Sequence, residues 1–404
     1  MPSPRERVMQ ALNFQMPDQP PKDLGGMLSS SISGFAYPKL VAALGLPPRL
    51  PKMYDTGQML AMPELDVLDA LGVDVVTIVG RATNAFEEPE KWLPYDFNGR
   101  LPALVRNPAN FVTEEDGTIV QGNTRMPPSS YVFDALHGGQ PLNMNDEMPK
   151  YDLQVYAESL KARYLRDDEI VTIRDLCRRV REATDRAVFF NEGALVPPMS
   201  IHGHGGMGIF PVLCLTEPDY VAELHEIITE FALRNIRALL PEIAAYVDVM
   251  WLGSDDWGTQ RSTIASPKIF RKLFLPYRRR INDECHRIAP QVKTFLHSCG
   301  AIYDLLDLIV ESGFDVLNPV QWTAGGHTYQ EWKDKARGRL TLWGGGVNAQ
   351  GTLLLGTVEE VYAEAREVTR CLAQDGGFVF CNIHNLLAEV PPEKVIALYR
   401  AAEA

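Results

Sequence analysis

Short apolar runs rich in β-branched residues alternate along the chain with longer segments whose apolar positions recur every three or four residues. The runs at 21–26, 73–79, 187–192, 247–252, 292–297, 314–320, 340–343 and 378–381 read as eight strands. Most of the segments between them read as helices. In 219–243, Val221, Leu224, Ile228 and Phe231 share one face, and the stripe drifts on to Ile236 and Leu239. Segment 301–312 carries Ile302, Leu305, Leu306 and Ile309, and Gly313 stops it. At the N-terminus, Ser3, Pro4 and Glu6 spell a helix cap, a first turn and the closing residue of a capping box. One local pattern recurs where a helix leads into a strand: Gly72-Val73-Asp74-Val75, Tyr246-Val247-Asp248-Val249 and Gly313-Phe314-Asp315-Val316. Eight alternations predict an α/β chain folded as a single (β/α)8 barrel over 1–404. A doubly wound open sheet is the competing architecture.

Segment 81–186 breaks the alternation and is expected as an insertion after the second strand. Its first half is rich in Pro, Asn and Gly, with a hairpin expected at 111–121 around Asp116-Gly117. It carries Trp92, Tyr95, Phe97, Tyr131 and Phe133. A lid over the barrel mouth is one expected use, and an edge subdomain or a homo-oligomer contact is the other.

Composition narrows the function. Apolar residues make up 46% of the 404 positions, enough for one large core, and the net charge of −13 argues against a nucleic-acid partner. No apolar run is long enough for a membrane span, and no apolar signal core follows the N-terminus, so a cytoplasmic protein is expected. In that setting the six cysteines are expected to be buried, catalytic or metal-bound.

In a barrel the C-terminal strand ends share one mouth, and here they carry the chemistry. The third strand ends in Asn191-Glu192-Gly193, the fourth in Ser254-Asp255-Asp256-Trp257, the fifth in His297-Ser298-Cys299-Gly300. The sixth ends in Asn318-Pro319, the seventh in three glycines, the eighth in Cys381-Asn382-Ile383-His384-Asn385. His297 and Cys299 are two apart, so an alternating strand aims both to one side. A helix start after Cys299 is expected to favour its thiolate. With Cys381 from the eighth strand, they make a three-ligand set that leaves a tetrahedral zinc one open position. A bare His-x-Cys is more often a core histidine beside buried thiols. The distant third ligand at a strand end is what favours metal.

Asp255 and Asp256 are adjacent, so one is expected in the site and the other as a loop cap. Glu192 is a candidate fourth ligand, general acid or arginine partner. Asn318, His384, Tyr37, Trp257 and Trp322 are candidates for substrate contact, and His384 and Asn382 also for hydrogen bonds behind the ligands. His202-Gly203-His204 has no third ligand nearby and reads as a mouth loop.

Phe295-Leu296-His297-Ser298-Cys299-Gly300, the helical segment after it and the late Cys381 resemble the zinc methyltransferase branch of the uroporphyrinogen decarboxylase superfamily, which includes methylcobalamin:coenzyme M methyltransferases. The resemblance implies that His297, Cys299 and Cys381 bind zinc. It also implies methyl transfer between a small methylated substrate, O-methyl or thiol-type, and a corrinoid. The corrinoid signature Asp-x-His-x-x-Gly is absent, and Asp134-Ala135-Leu136-His137-Gly138-Gly139 has the wrong spacing. Cobalamin is therefore expected on a separate protein, with demethylation the expected direction. The alternative is a metal-independent decarboxylase. It fits less well: Asp23-Leu24-Gly25-Gly26-Met27-Leu28 stands where that branch has arginines, and Met53-Tyr54-Asp55-Thr56-Gly57 is a poor match to its Phe-Ser-Asp segment.

Overall fold

The computed structural model describes residues 1–80, 83–87, 89–134, 150–191, 195–199 and 206–403. Seven parallel strands form a curled sheet: β1 (Val75–Val79), β2 (Ala187–Asn191), β3 (Val249–Ser254), β4 (Lys293–His297), β5 (Val316–Asn318), β6 (Thr341–Trp343) and β7 (Phe378–Val379), each paired with the next in sequence. A short eighth strand, Thr83–Asn84, runs antiparallel to β1 at one edge.

The expected first strand is not a strand. Asp23 turns the chain instead: its carboxylate accepts the Gly26 N–H at 2.7 Å, and Gly25 takes φ +85°. Residues 21–23 nevertheless tie the outer strands together. Phe380 N–H donates to Pro21 O (2.8 Å), Asp23 N–H to Phe380 O (2.8 Å) and Asp74 N–H to Lys22 O (2.8 Å). The sheet thus curls back on itself, and the α/β fold is TIM-barrel-like.

The recurring Asp before a strand has a shared role. Asp74, Asp248 and Asp315 each accept, on the side chain, a backbone N–H near the start of the neighbouring segment, from Lys22, Val188 and Thr294, all at 2.8 Å. A backbone donor at the rim of the sheet, which has no ladder partner, is satisfied this way. Each carboxylate also pairs with a basic side chain: Arg7 on Asp74, Arg5 and Arg181 on Asp248, His286 on Asp315.

Strand alternation divides the core in two. Val75, Phe189, Val249, Phe295, Val316, Trp343, Val379 and Cys381 face the axis. Helix α1 (Pro4–Leu12), started by the reciprocal Ser3–Glu6 capping box, presses Val8 and Leu12 against the same cluster and so closes the amino-terminal end. The opposite faces, with Ile78, Phe190, Leu252, Leu296, Leu317, Leu342 and Phe380, pack under the outer helices. The 26-residue helix α3 (Pro218–Ile243) fulfils the stripe read from sequence and packs against α2 (Asp167–Ala183) and α4 (Leu275–Ile288).

Between β1 and β2 the chain adds small antiparallel pairs, including the expected hairpin: Phe111–Thr113 pairs with Ile119–Gln121, with Gly117 at φ +84°. Phe97, Leu101, Phe111, Ile119, Met126 and Phe133 form a separate small core with Met53 and Met59. Helix α2, the last part of 81–186, packs in the helical layer outside the sheet.

Candidate metal-binding site at the barrel mouth

His297 is the last residue of β4 and points inward, two positions after Phe295. Its ring is held from behind. Asn318, at the end of the neighbouring β5, donates from Nδ2 to Trp343 O at 2.9 Å, which fixes the amide orientation. Asn318 Oδ1 must then accept, and it takes Ser29 Oγ–H at 2.7 Å and His297 Nδ1–H at 2.7 Å. The proton of neutral His297 is thereby placed on Nδ1, and the Nε2 lone pair faces the mouth.

Cys299 Sγ lies 3.2 Å from that Nε2. Its position depends on a close approach of two backbones. A Cβ on Gly300 (φ +84°) would come within 2.4 Å of Gly258, and one on Gly258 within 2.5 Å of Ala301 N. Only glycine permits this contact. Across it Asp256 Oδ1 accepts the Cys299 N–H at 2.9 Å. The expected helix start at Cys299 is corrected: regular helix begins only at Leu306, after a 3-10 turn at Tyr303–Leu305. Burial and the neighbouring Asp256 push the Cys299 thiol well above its usual range, opposite to the expected dipole effect.

His384 completes the group. Its backbone is left-handed, φ +63°, a conformation uncommon outside glycine and often found at functional sites. His297, Cys299 and His384 offer ligand atoms that all lie within 4.8 Å of one another. Burial, reinforced by His297, lowers the His384 pKa to about 4, so its imidazole is neutral with a lone pair to give.

Cys381 stands outside this group. It is fully buried on the inner face of the barrel, with Sγ 3.9 Å from Asn318 Nδ2, and burial and Asp23 push its thiol up. The geometry therefore brings His384, expected as a substrate contact, to the metal-type cluster and sets Cys381 one side chain behind it.

The two aspartates separate. Asp256 touches Cys299, and its Oδ1 is 3.8 Å from His297 Nε2. Asp255 is paired with Arg278, both side chains 0% exposed, and Arg278 also donates to Leu252 O at 2.9 Å. The side chains of Tyr37 and Trp257 are turned into the outer core. Tyr37 packs in the outer core with its hydroxyl on Glu64, and Trp257 packs edge-on to Phe270 and Phe274. Trp322 bridges two mouth loops through its N–H to Gly345 O at 2.8 Å. Glu192 and the His202–His204 pair lie outside the described residues. Ser29 carried no sequence signal, because it reaches the site only through tertiary contact.

A cavity of about 470 Å³ opens beside the cluster. Its wall includes His384, Gln58, Tyr131, Phe133 and Leu386. It therefore lies between the added unit and the loop after β7.

A curled parallel sheet with a His/Cys cluster at its carboxyl mouth is an enzyme-like arrangement. Residues 143–404 match the uroporphyrinogen decarboxylase (URO-D) family, and the chain belongs to that family. It is 27% identical over 185 residues to the uroporphyrinogen decarboxylase of Syntrophotalea carbinolica, covering 45% of this chain and 48% of that protein. It is 27% identical over 188 residues to that of Gloeobacter violaceus, covering 45% and 47%. The matched region thus spans about half the length of these curated relatives. A methyltransferase from Methanosarcina mazei has a similar fold, with a TM-score of 0.52, 16% identity and coverage of 99% of this chain and 98% of that one.

Proposed function

We propose that the protein is a zinc-dependent methyltransferase that moves a methyl group between a small methylated substrate, O-methyl or thiol-type, and a corrinoid carried on a separate protein, in the direction of demethylation. The observation that carries the reading is the convergence of His297, Cys299 and His384 within 4.8 Å at the barrel mouth. The donor set fits zinc: two imidazoles and a thiol, with one coordination position left open. Asn318 and Ser29 hold His297 with its Nε2 lone pair outward, as the partners behind a metal-bound histidine do. In this proposal His384 is the third ligand, and Cys381, which the sequence resemblance names, is the alternative third ligand.

When bound, zinc supplies Lewis acidity toward a thiol sulfur or a leaving oxygen. The protein's own groups do the positioning. Asp256 fixes the Cys299 backbone, and the Asn318 amide prevents His297 from rotating. In this proposal the insertion is the lid: Tyr131 and Phe133 wall the cavity that reaches His384.

The decarboxylase reading is favoured by the names of the two curated relatives. It requires cationic side chains at the mouth to grip carboxylates. Among the described residues the buried cations are engaged elsewhere: Arg7 with Asp74, Lys22 with Glu403, Arg278 with Asp255, and Lys333 and Lys394 with backbone carbonyls.

The test is demethylation of a methoxyarene or methyl thioether in the presence of reduced cobalamin, followed by cobalamin absorbance, before and after chelation. Methyl transfer that disappears on chelation and returns with zinc is expected. Carbon dioxide release from a porphyrinogen that survives chelation would replace this reading with the decarboxylase.

A further inference from the structure

Several buried polar atoms of the described residues have no hydrogen-bond partner. Some, such as Trp257 Nε1 and Trp332 Nε1, belong to the outer core. Apart from the Thr341 hydroxyl on β6, those on the inner faces of the barrel strands are three, on adjacent strands: the Thr77 hydroxyl on β1, Asn191 Nδ2 on β2 and Trp251 Nε1 on β3. Each stands two positions after a residue of the axial cluster, Val75, Phe189 and Val249, so each side chain is directed to the axis. The strands are neighbours. Phe190 pairs with Met250, which brings Asn191 level with Trp251, and Thr77 pairs with Phe189, one step deeper.

Unpartnered buried donors are costly, and sites that bind polar ligands are where they are retained. Asn191 and Thr77 are each 3% exposed, whereas Trp251 remains partly exposed although it faces the axis. The Trp251 side chain is therefore partly accessible to solvent at the carboxyl end of β3. The β1–β3 wall and the His297–Cys299–His384 cluster both belong to this carboxyl end. On the wall the unfilled groups are N–H and O–H donors, and among the described residues the buried cations are engaged elsewhere.

We infer that Asn191, Trp251 and Thr77 form a substrate-recognition wall that takes a neutral oxygen acceptor, such as an ether, phenol or alcohol oxygen, rather than a carboxylate or phosphate. This deepens the methyltransferase reading and rests on it: the wall fixes an oxygen of the substrate while the metal-type cluster faces the group to be transferred. Neutral donors suffice for an uncharged oxygen, and an anion brought to the wall loses hydration without a countercharge. The indole of Trp251 adds an apolar face for a small ring.

The probes are 2-methoxyphenol and 2-methoxybenzoate, titrated calorimetrically into the purified full-length protein. Wild type is expected to bind 2-methoxyphenol more tightly than 2-methoxybenzoate. Asn191→Leu and Trp251→Phe are each expected to weaken 2-methoxyphenol binding by about three- to tenfold, the effect of one lost hydrogen bond. Trp332→Phe, which removes an unpartnered indole N–H from the outer core, is expected to change nothing. Circular dichroism melting of each variant shows that it is folded. Tighter binding of the benzoate, equal binding by the wall variants, or no binding of 2-methoxyphenol at millimolar concentration would overturn the inference. Zinc content of the same preparations reads the metal proposal separately. Asn191-dependent binding in a protein that takes up no zinc would overturn the metal reading and leave the wall. Zinc without that dependence would do the reverse.

Discussion

Asn318→Leu tests whether the site is organised from behind. The side chain is fully buried, and its amide makes three contacts that define its orientation: Nδ2 to Trp343 O, and Oδ1 from Ser29 and from His297 Nδ1. Leucine keeps the volume but removes the acceptor that places the His297 proton on Nδ1. The imidazole is then free to turn or to carry its proton on Nε2, which blocks the ligand atom. Losing such a partner weakens metal binding by about 10- to 100-fold, equivalent to roughly 1.4–2.7 kcal/mol. The assay is competition for zinc between the protein and a chromophoric chelator at pH 7, with circular dichroism to confirm folding. Asn318→Asp is a second variant: it restores an acceptor and is expected to recover most of the affinity. Wild-type affinity in Asn318→Leu would refute the reasoning, because His297 would then need no support from β5.

Other expectations follow from the same geometry. Asp255→Asn leaves Arg278 buried without a countercharge and is expected to cost about 3–5 kcal/mol, read as a lower denaturant midpoint. Asp255→Leu combined with Arg278→Met is expected to recover much of it, and an unchanged midpoint in the single variant would contradict a structural role for the pair. His286 is raised above its ordinary pKa, chiefly by its 2.8 Å hydrogen bond to Asp315, so folding takes up a proton there. Its contribution is full below the unfolded value of about 6.5 and is lost as pH rises through the higher folded value. The stability difference between wild type and His286→Gln should therefore shrink as pH is raised through that window, and a difference that grows would contradict the assignment.

Much of the framework was legible in the sequence because its signals are local. Seven of the eight apolar runs are strands, and the stripe from Val221 to Leu239 lies on one long helix. The run at 21–26 misled because a turn held by the Asp23 side chain, which accepts the Gly26 N–H, falls inside it. His297 and Cys299 were legible as a pair, since spacing along a strand fixes which way side chains point. His384 was not legible as their companion. Its direction comes from a left-handed backbone in a loop, and no periodicity encodes that. Nor did sequence separate Asp255 from Asp256: the β3–β4 register shifts between Trp251 and Ser254, so simple alternation fails just before them. Tyr37 and Trp257 show a further limit. An aromatic residue near a strand end looks the same whether it lines a pocket or fills the core, and only packing decides.

The central claim is that His297 and Cys299 hold zinc, and elemental analysis of the purified protein tests it most directly. Wild type, Cys299→Ala, His384→Ala and Cys381→Ala would be grown with zinc and purified anaerobically. About one zinc per wild-type chain is expected, as a three-ligand site requires, and its loss in Cys299→Ala. A greater loss in His384→Ala than in Cys381→Ala would assign the third ligand to His384. Wild type without zinc, or Cys299→Ala with a full complement, would contradict the account.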